Sequence, residues 1–474
     1  MPTSVSRFRE LSEILNLNLR DNLFARWYPL VLDKKYGGYF TNLSHQWRIG
    51  TEQEKMIVSQ SRHVWVLSKA AMVESETQNY EGYARHGFHF LHQSLWDSRY
   101  GGFYQIRNRE GGYSDCRGWG EEKRTHGNSC AIFALAALYN LTHDPEVLAL
   151  AKDAFEWLET HAHDDESGGY FQFLTRQGEP FDETSQYRSV ASDIRKVGLK
   201  DYNSSVHLLE AYTELLRVWN TDVLHSRLTM LLELIRDTMV VGEGYLQLYF
   251  TRDWIPVTFR AASEATRSLN YGLDRVSFGD DLKTAFLLLD AAHVLKTKND
   301  ERTLAVAKHM VDHAISTGWD GDAGGFFDSG YYPNGSDQCS IIRFAKPWWT
   351  QAEALNTLLI FSCIFPGNAI YRERFEQQWS YIDKHLLDHS NGDWFERGTD
   401  KDPQARAWPK GHMWKCTYHT GRALMNCIAL TSDKTRSSPG ILARRRELDA
   451  MIDYWKMITF SGEQESIVTT HSTS

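Results

Sequence analysis

No stretch of this 474-residue chain is apolar for long enough to span a bilayer. Its first residues, MPTSVSRFRE, lack the apolar core of a secretion signal. No Lys- or Arg-rich run offsets the formal charge of −9, so a nucleic-acid partner is not expected. Cysteine is sparse. Cys116, Cys130, Cys339, Cys363, Cys416 and Cys427 form no CxxC pair, and Cys130, Cys363 and Cys427 sit in apolar helical runs as ordinary buried thiols. There is no HExxH, no GxxxxGK loop and no GxSxG elbow, so no metal, nucleotide or serine-hydrolase chemistry is signalled. These absences point to a reducing, cytoplasmic setting without membrane partners. No Pro/Gly/Ser-rich linker divides the chain either. Its length would suit about three average domains, but one domain over residues 1–460 with a disordered polar tail, 461–474, is the better expectation.

What is present is a repeat. A turn signature of small residues followed by aromatics recurs six times. It reads Asp33-KKY-Gly37-Gly38-Tyr39-Phe40, then Asp97-SRY-Gly101-Gly102-Phe103-Tyr104, then Asp165-ES-Gly168-Gly169-Tyr170-Phe171. A degenerate copy, Gly242-Glu243-Gly244-Tyr245-Leu246, precedes Asp320-GDA-Gly324-Gly325-Phe326-Phe327 and Asn391-Gly392-Asp393-Trp394-Phe395. Paired glycines suit a tight turn, and the aromatics after them a short extended piece. Each signature follows an amphipathic helical stretch and precedes, after a loop, a second and more apolar one. One strongly apolar helix per pair argues for an inner set shielded by an outer set. Neither end shows the polar cap of an open solenoid. The expected fold is all-α: an (α/α)6 barrel of six helical hairpins with short strand-like glycine–aromatic turns.

In such a ring the six inner helices start at one mouth. Those starts carry Arg62; Arg124, His126 and Asn128; Asn203 and His207; Asp280, Asp281 and Lys283; Trp348, Trp349, Gln351 and Glu353; and Trp414, Tyr418, His419 and Arg422. Converging helix N-termini and polar groups favour one pocket that can bear negative charge. Each residue also has a plain alternative. Arg62 would serve as an ion-pair arginine, His207 as a core histidine, and the tryptophans as packing. The run HGFHFLH, with His86, His89 and His92, is read as structural or surface, as is His63. The many aromatics, 16 Trp and 22 Tyr, suit stacking on sugar rings.

At this level the chain resembles the N-acylglucosamine 2-epimerase superfamily, from about Phe8 to about Trp455. The resemblance is carried by Trp414-KCTYHTGRAL, Lys346-PWWTQAEAL, Asn203-SSVHLLEAY and Ser277-FGDDLKTAFLLLDAA. It implies a six-hairpin barrel, no cofactor, and proton transfer at C2 of an open-chain aldose of the mannose or glucose type through a cis-enediol. A monomer or homodimer would act on this small sugar. His419 matches the family's general base or acid, and Arg62 the arginine at the carbonyl end. Asn203, His207, Trp349, Glu353 and Trp414 match pocket residues, and His126 stands where the family often has a tyrosine.

One departure is prominent. The family pattern Ser-Phe-Gly-His-Asp reads here Ser277-Phe278-Gly279-Asp280-Asp281, and a glutamate two residues on is Lys283. Asp280 thus replaces the second catalytic histidine. Either burial raises this carboxyl enough to work, or Lys283 pairs with it and lowers it. In the second case His126 takes over, or the reaction uses one face and is an aldose–ketose isomerisation. The long connection from Thr251 to Val276 resembles a pocket-covering loop of the family, which implies a lid with Trp254, Tyr271 and Asp274 as candidates to touch the sugar. Two other activities stay open. One is a sugar or uronide hydrolase or lyase with Asp280 as acid/base beside Glu353 or Asp281. The other is a non-catalytic carbohydrate-binding protein.

Overall fold

The computed structural model describes residues 4–73, 78–181, 198–298, 300–435 and 437–471. Six inner helices span Ile57–Val73, Thr125–Thr142, Tyr202–Leu216, Phe278–Leu295, Trp348–Ile364 and Tyr418–Thr431. The helices preceding them in the chain form the outer layer: Ser4–Leu17, Tyr80–Phe90, Pro145–His161, Asp222–Leu234, Glu301–Gly318 and Ala369–Tyr381. Each inner helix packs on the next, and the sixth packs on the first. The ring is therefore closed, and the chain folds as the expected (α/α)6 barrel. Backbone pairing also joins the first and sixth repeats. Leu43 bridges Gly411, and the Trp47 indole donates to the Asn391 carbonyl at 2.7 Å.

The inner helices are buried nearly all round because the outer layer shields one side and neighbouring inner helices the rest. A last helix, Pro439–His471, packs across the inner helices, where the Trp455 indole reaches the Leu289 carbonyl at 3.2 Å. It covers the end of the barrel opposite the mouth. This helix continues through Ser461, where the sequence predicts the start of a disordered tail. Among the described residues no helix is long and apolar enough to cross a membrane.

The glycine turns are built alike. In the second repeat the Asp97 amide donates to the Gly102 carbonyl at 3.0 Å, and the Asp97 carboxylate takes Lys123 at 3.1 Å. Gly102 has φ +70°, and a Cβ there would meet the Trp157 ring at 2.6 Å, so only glycine fits. Buried Lys–Asp pairs recur as Lys55–Asp33, Lys200–Asp164, Lys346–Asp320 and Lys410–Asp388, at 2.8–3.0 Å. In the third repeat the turn aspartate is thus Asp164, not Asp165. Asp165 lies on the surface beside His163.

In four of the repeats the fourth residue of the inner helix clips the turn. Gln60 Oε1 accepts from the Tyr39 amide at 2.8 Å, Asn128 Oδ1 from Phe103 at 2.7 Å, Asp281 Oδ1 from Leu246 at 2.9 Å, and Gln351 Oε1 from Phe326 at 2.8 Å. These clips hold each helix start against the turn before it. Short antiparallel strand pairs add to this, such as Lys55–Met56 with Ile106–Arg107 and Lys200–Asp201 with Tyr249–Phe250.

Candidate active site

An α-helix turns about 100° per residue, so its second and sixth residues share a face and its fourth points away. With the fourth clipped to the turn, the second and sixth look into the barrel. These positions supply His126, Asn203, Trp349 and His419, and Arg62, His207 and Lys283. Together with Asp280 and Trp414 they line one central cavity of about 300 Å³. An adjoining cavity of about 290 Å³ shares His126, Asn203 and Trp414 and extends to Arg124, Gln172 and Asp201.

Ten of the sequence-derived candidates therefore meet: Arg62, His126, Asn203, His207, Asp280, Lys283, Trp348, Trp349, Trp414 and His419. Four do not. Asn128 is fully buried and clips the second turn, as its position two residues after His126 requires. Glu353 lies behind the pocket wall under His419. Asp274 ties the long connection together, accepting from the Phe259 amide at 2.6 Å and the Tyr331 hydroxyl at 3.0 Å. Trp254 packs on the third glycine turn and donates from its indole to the Ser167 carbonyl at 2.9 Å. The connection itself holds a helix, Glu264–Asp274, and reaches the cavities through Gly272 and Arg275. Tyr271, the third residue expected on the sugar, instead packs on Tyr331, with ring centroids 4.7 Å apart.

Sequence reasoning missed Tyr202 and Arg275, which also line the pocket. Tyr202 opens the third inner helix beside Asn203, so its signal was its place at a helix start. Of the triplet, His86 and His92 make structural contacts and His89 lies exposed on the surface, within the expected reading. His86 meets the Gly38 carbonyl at 2.8 Å and His92 lies 3.1 Å from Glu146. His63 takes the Tyr28 hydroxyl at 2.7 Å.

The wall from the sixth inner helix carries His419. Its Nδ1 lies 2.5 Å from Glu353 Oε1, and that carboxylate also takes Arg422 at 2.5 Å. A second carboxylate, Glu210, binds the other side of Arg422 and the Tyr418 hydroxyl. Burial pushes the His419 imidazole down to about 3, against the pull of Glu353. The glutamate stays ionised because Arg422 and the His419 hydrogen bond outweigh its burial. His419 is thus a neutral imidazole whose Nδ1–H is held by a carboxylate, which leaves Nε2 to accept a proton. The guanidinium of Arg62 lies over the Tyr418 ring at 4.8 Å. It makes no ion pair among the described residues, and its Nε is buried without a hydrogen-bond partner. Its donors are available to a ligand oxygen.

The wall from the fourth inner helix carries Asp280, and here the charge is already spent. Oδ2 accepts from the Ser277 hydroxyl at 2.6 Å and the Tyr202 hydroxyl at 2.7 Å, and Oδ1 from Lys283 at 3.2 Å. Burial would raise this carboxyl, but the Lys283 charge and the two hydroxyls hold it below the usual range. Of the two options left by the sequence, the Lys283 pairing is the one realised. The neighbouring Asp281 is pushed well up by burial, yet its side chain belongs to the clip and faces away from the cavity. With Glu353 committed to His419 and Arg422, the expected acid/base pairs of a glycoside hydrolase are not assembled.

The model of the N-acylglucosamine 2-epimerase family matches residues 38–423. The chain belongs to that family. Cellobiose 2-epimerase from Bacteroides fragilis is 26% identical over 428 residues, covering 89% of this chain and all of the relative. Two solved structures share the fold. Cellobiose 2-epimerase from Bacillus thermoamylovorans superposes with a TM-score of 0.75 at 22% identity, over 88% of this chain and 99% of that one. A D-mannose isomerase gives 0.73 at 18% identity, over 90% and 99%. As a family member the chain is a sugar epimerase or isomerase.

Proposed function

We propose that this enzyme is an aldose–ketose isomerase acting on an open-chain neutral sugar of the mannose or glucose type, with His419 as the single base. The observation that carries the reading is the asymmetry of the two walls. His419 offers a neutral, oriented imidazole, whereas Asp280 is fixed as an anion among Ser277, Tyr202 and Lys283. Epimerisation needs a proton to leave one face of C2 and return to the other. Isomerisation needs one face only.

His419 Nε2 takes the C2 proton. The C–H electrons form the C1–C2 double bond, and the charge moves to O1, where Arg62 stabilises it. A donor aimed at such an oxyanion contributes on the order of 3 kcal/mol. The O2 proton moves to O1 across the cis-enediol, and the His419 imidazolium returns its proton to C1. Trp349 and Trp414 supply apolar faces for the carbon skeleton, and Asn203 a polar edge. Glu353 keeps the His419 tautomer and stabilises the transient cation. The relatives named as 2-epimerases and as a mannose isomerase support the reaction class.

The test is product identity. Incubation with mannose, glucose, fructose and cellobiose, followed by NMR, should give interconversion of an aldose with its ketose. Formation of the C2 epimer as the only product would contradict the single-base reading.

A further inference from the structure

Two histidines and a cysteine meet in the pocket wall beside the sugar-handling residues. His126 and Cys130 are one turn apart on the second inner helix, on the face that looks inward, and His207 joins them from the third. The donor atoms of all three lie within 4.8 Å of one another, and this is the one such group among the described residues. The two imidazoles stack with centroids 4.4 Å apart at 18°, and Trp414 lies beyond His126 at 6.5 Å.

Two features go beyond a packed core. First, His126 Nε2 is buried with no hydrogen-bond partner, an arrangement that costs stability unless something occupies it. Second, His207 Nδ1 lies 3.0 Å from Glu210 Oε2. That contact fixes Nδ1–H as the donor and leaves Nε2 as a lone pair, the arrangement by which a carboxylate behind a histidine readies it for a metal.

We propose that His126, Cys130 and His207 form a binding site for a borderline-soft divalent cation of the zinc class. A nitrogen–nitrogen–sulfur set with an open fourth position suits such an ion. Bond lengths of about 2.0–2.3 Å place tetrahedral donors roughly 3.3–3.6 Å apart, so side-chain rotations of about 1 Å close the set. On binding, Cys130 gives its thiol proton to solvent and coordinates as thiolate. That negative charge and Glu210 offset the nearby cations Arg62 and Lys283. The open position faces the central cavity, because His126 and His207 both line it. A bound metal therefore withdraws both histidines from the sugar and blocks turnover. This last consequence rests on the sugar reading above; the metal site itself does not.

The test uses the full chain after chelator treatment, titrated with Co²⁺ and then Zn²⁺. The site predicts one equivalent of Co²⁺, a near-ultraviolet thiolate-to-cobalt charge-transfer band, and loss of that band when Zn²⁺ displaces the cobalt. Cys130→Ser should abolish the band and weaken Co²⁺ binding at least tenfold while keeping sugar turnover, since Cys130 does not line the cavity. His126→Gln should weaken binding similarly in a folded protein. In the wild type, micromolar Zn²⁺ should inhibit turnover reversibly, and Cys130→Ser should resist. No saturable Co²⁺ binding, or a band of unchanged strength in Cys130→Ser, overturns the site. A protein that binds Co²⁺ as described but turns over no sugar leaves the site standing and sinks only the sugar reading.

Discussion

The sixth-helix wall and the fourth-helix wall of the pocket both place an ionisable side chain within the first turn of an inner helix, but with opposite results. On the sixth, the carboxylate is behind the imidazole: Glu353 backs His419, and Arg422 balances the glutamate. On the fourth, the carboxylate itself lines the cavity and Lys283 neutralises it directly. The first arrangement leaves a proton acceptor with nothing on it. The second leaves a closed ion pair that costs more to disturb than it returns as chemistry. A residue's type and place are thus not enough to make it a base; what its partners have already taken decides.

Substitutions should separate the walls in a definite order. His419→Ala removes the proposed base and should cut turnover by about 10³-fold or more, measured as kcat, with the fold intact by circular dichroism. Arg62→Met should cost about 10²–10³-fold in kcat with a smaller change in KM, because the oxyanion forms after binding. Glu353→Gln should lower kcat by roughly a hundredfold by releasing the tautomer. Asp280→Asn should do the reverse. Turnover of the folded protein should stay within about tenfold, while unfolding in urea should show a loss of about 3 kcal/mol from the unpaired Lys283. If Asp280→Asn abolished turnover in a protein of unchanged stability, the fourth-helix wall would be catalytic after all.

The smallest effect is on pH. His63, His207 and His419 are held at about 3, 4 and 3 by burial. An unfolded chain binds these protons near 6.5. Stability is therefore complete above about pH 6.5 and falls as pH drops toward 4, because the unfolded state takes up protons that the native state refuses. Thermal midpoints should be lower at pH 5 than at pH 7. Turnover of the folded enzyme should show no acid limb from His419 over that range. An acid limb near 6.5 would show that His419 is not buried in a neutral site.

Much of this was readable from the chain. Glycine pairs and helical periodicity are local signals, so the six repeats, the inner helices and the mouth that gathers them followed from sequence. The roles of individual helix-start residues did not follow, because those depend on rotation about each helix. Asn128, Gln351 and Asp281 are as polar as their pocket neighbours, yet sit two residues from an inward position and clip the turns. Taking Gln60 in the same place would have exposed the rule. Trp254 and Asp274 were placed at the pocket by the resemblance of their connection to a family loop, whereas the turn at Gly168–Gly169 and the hydroxyl of Tyr331 hold them elsewhere. The grouping of His126, Cys130 and His207 joins two helices and matches no linear metal motif.

The single-base account stands most directly on the stereochemistry of exchange. Fructose should be equilibrated with the wild-type enzyme in D2O and followed at C1 and C2 by NMR. The account predicts one deuterium at one prochiral position of C1 and an aldose of a single C2 configuration. Labelled aldoses of both C2 configurations, formed at comparable initial rates, would contradict it.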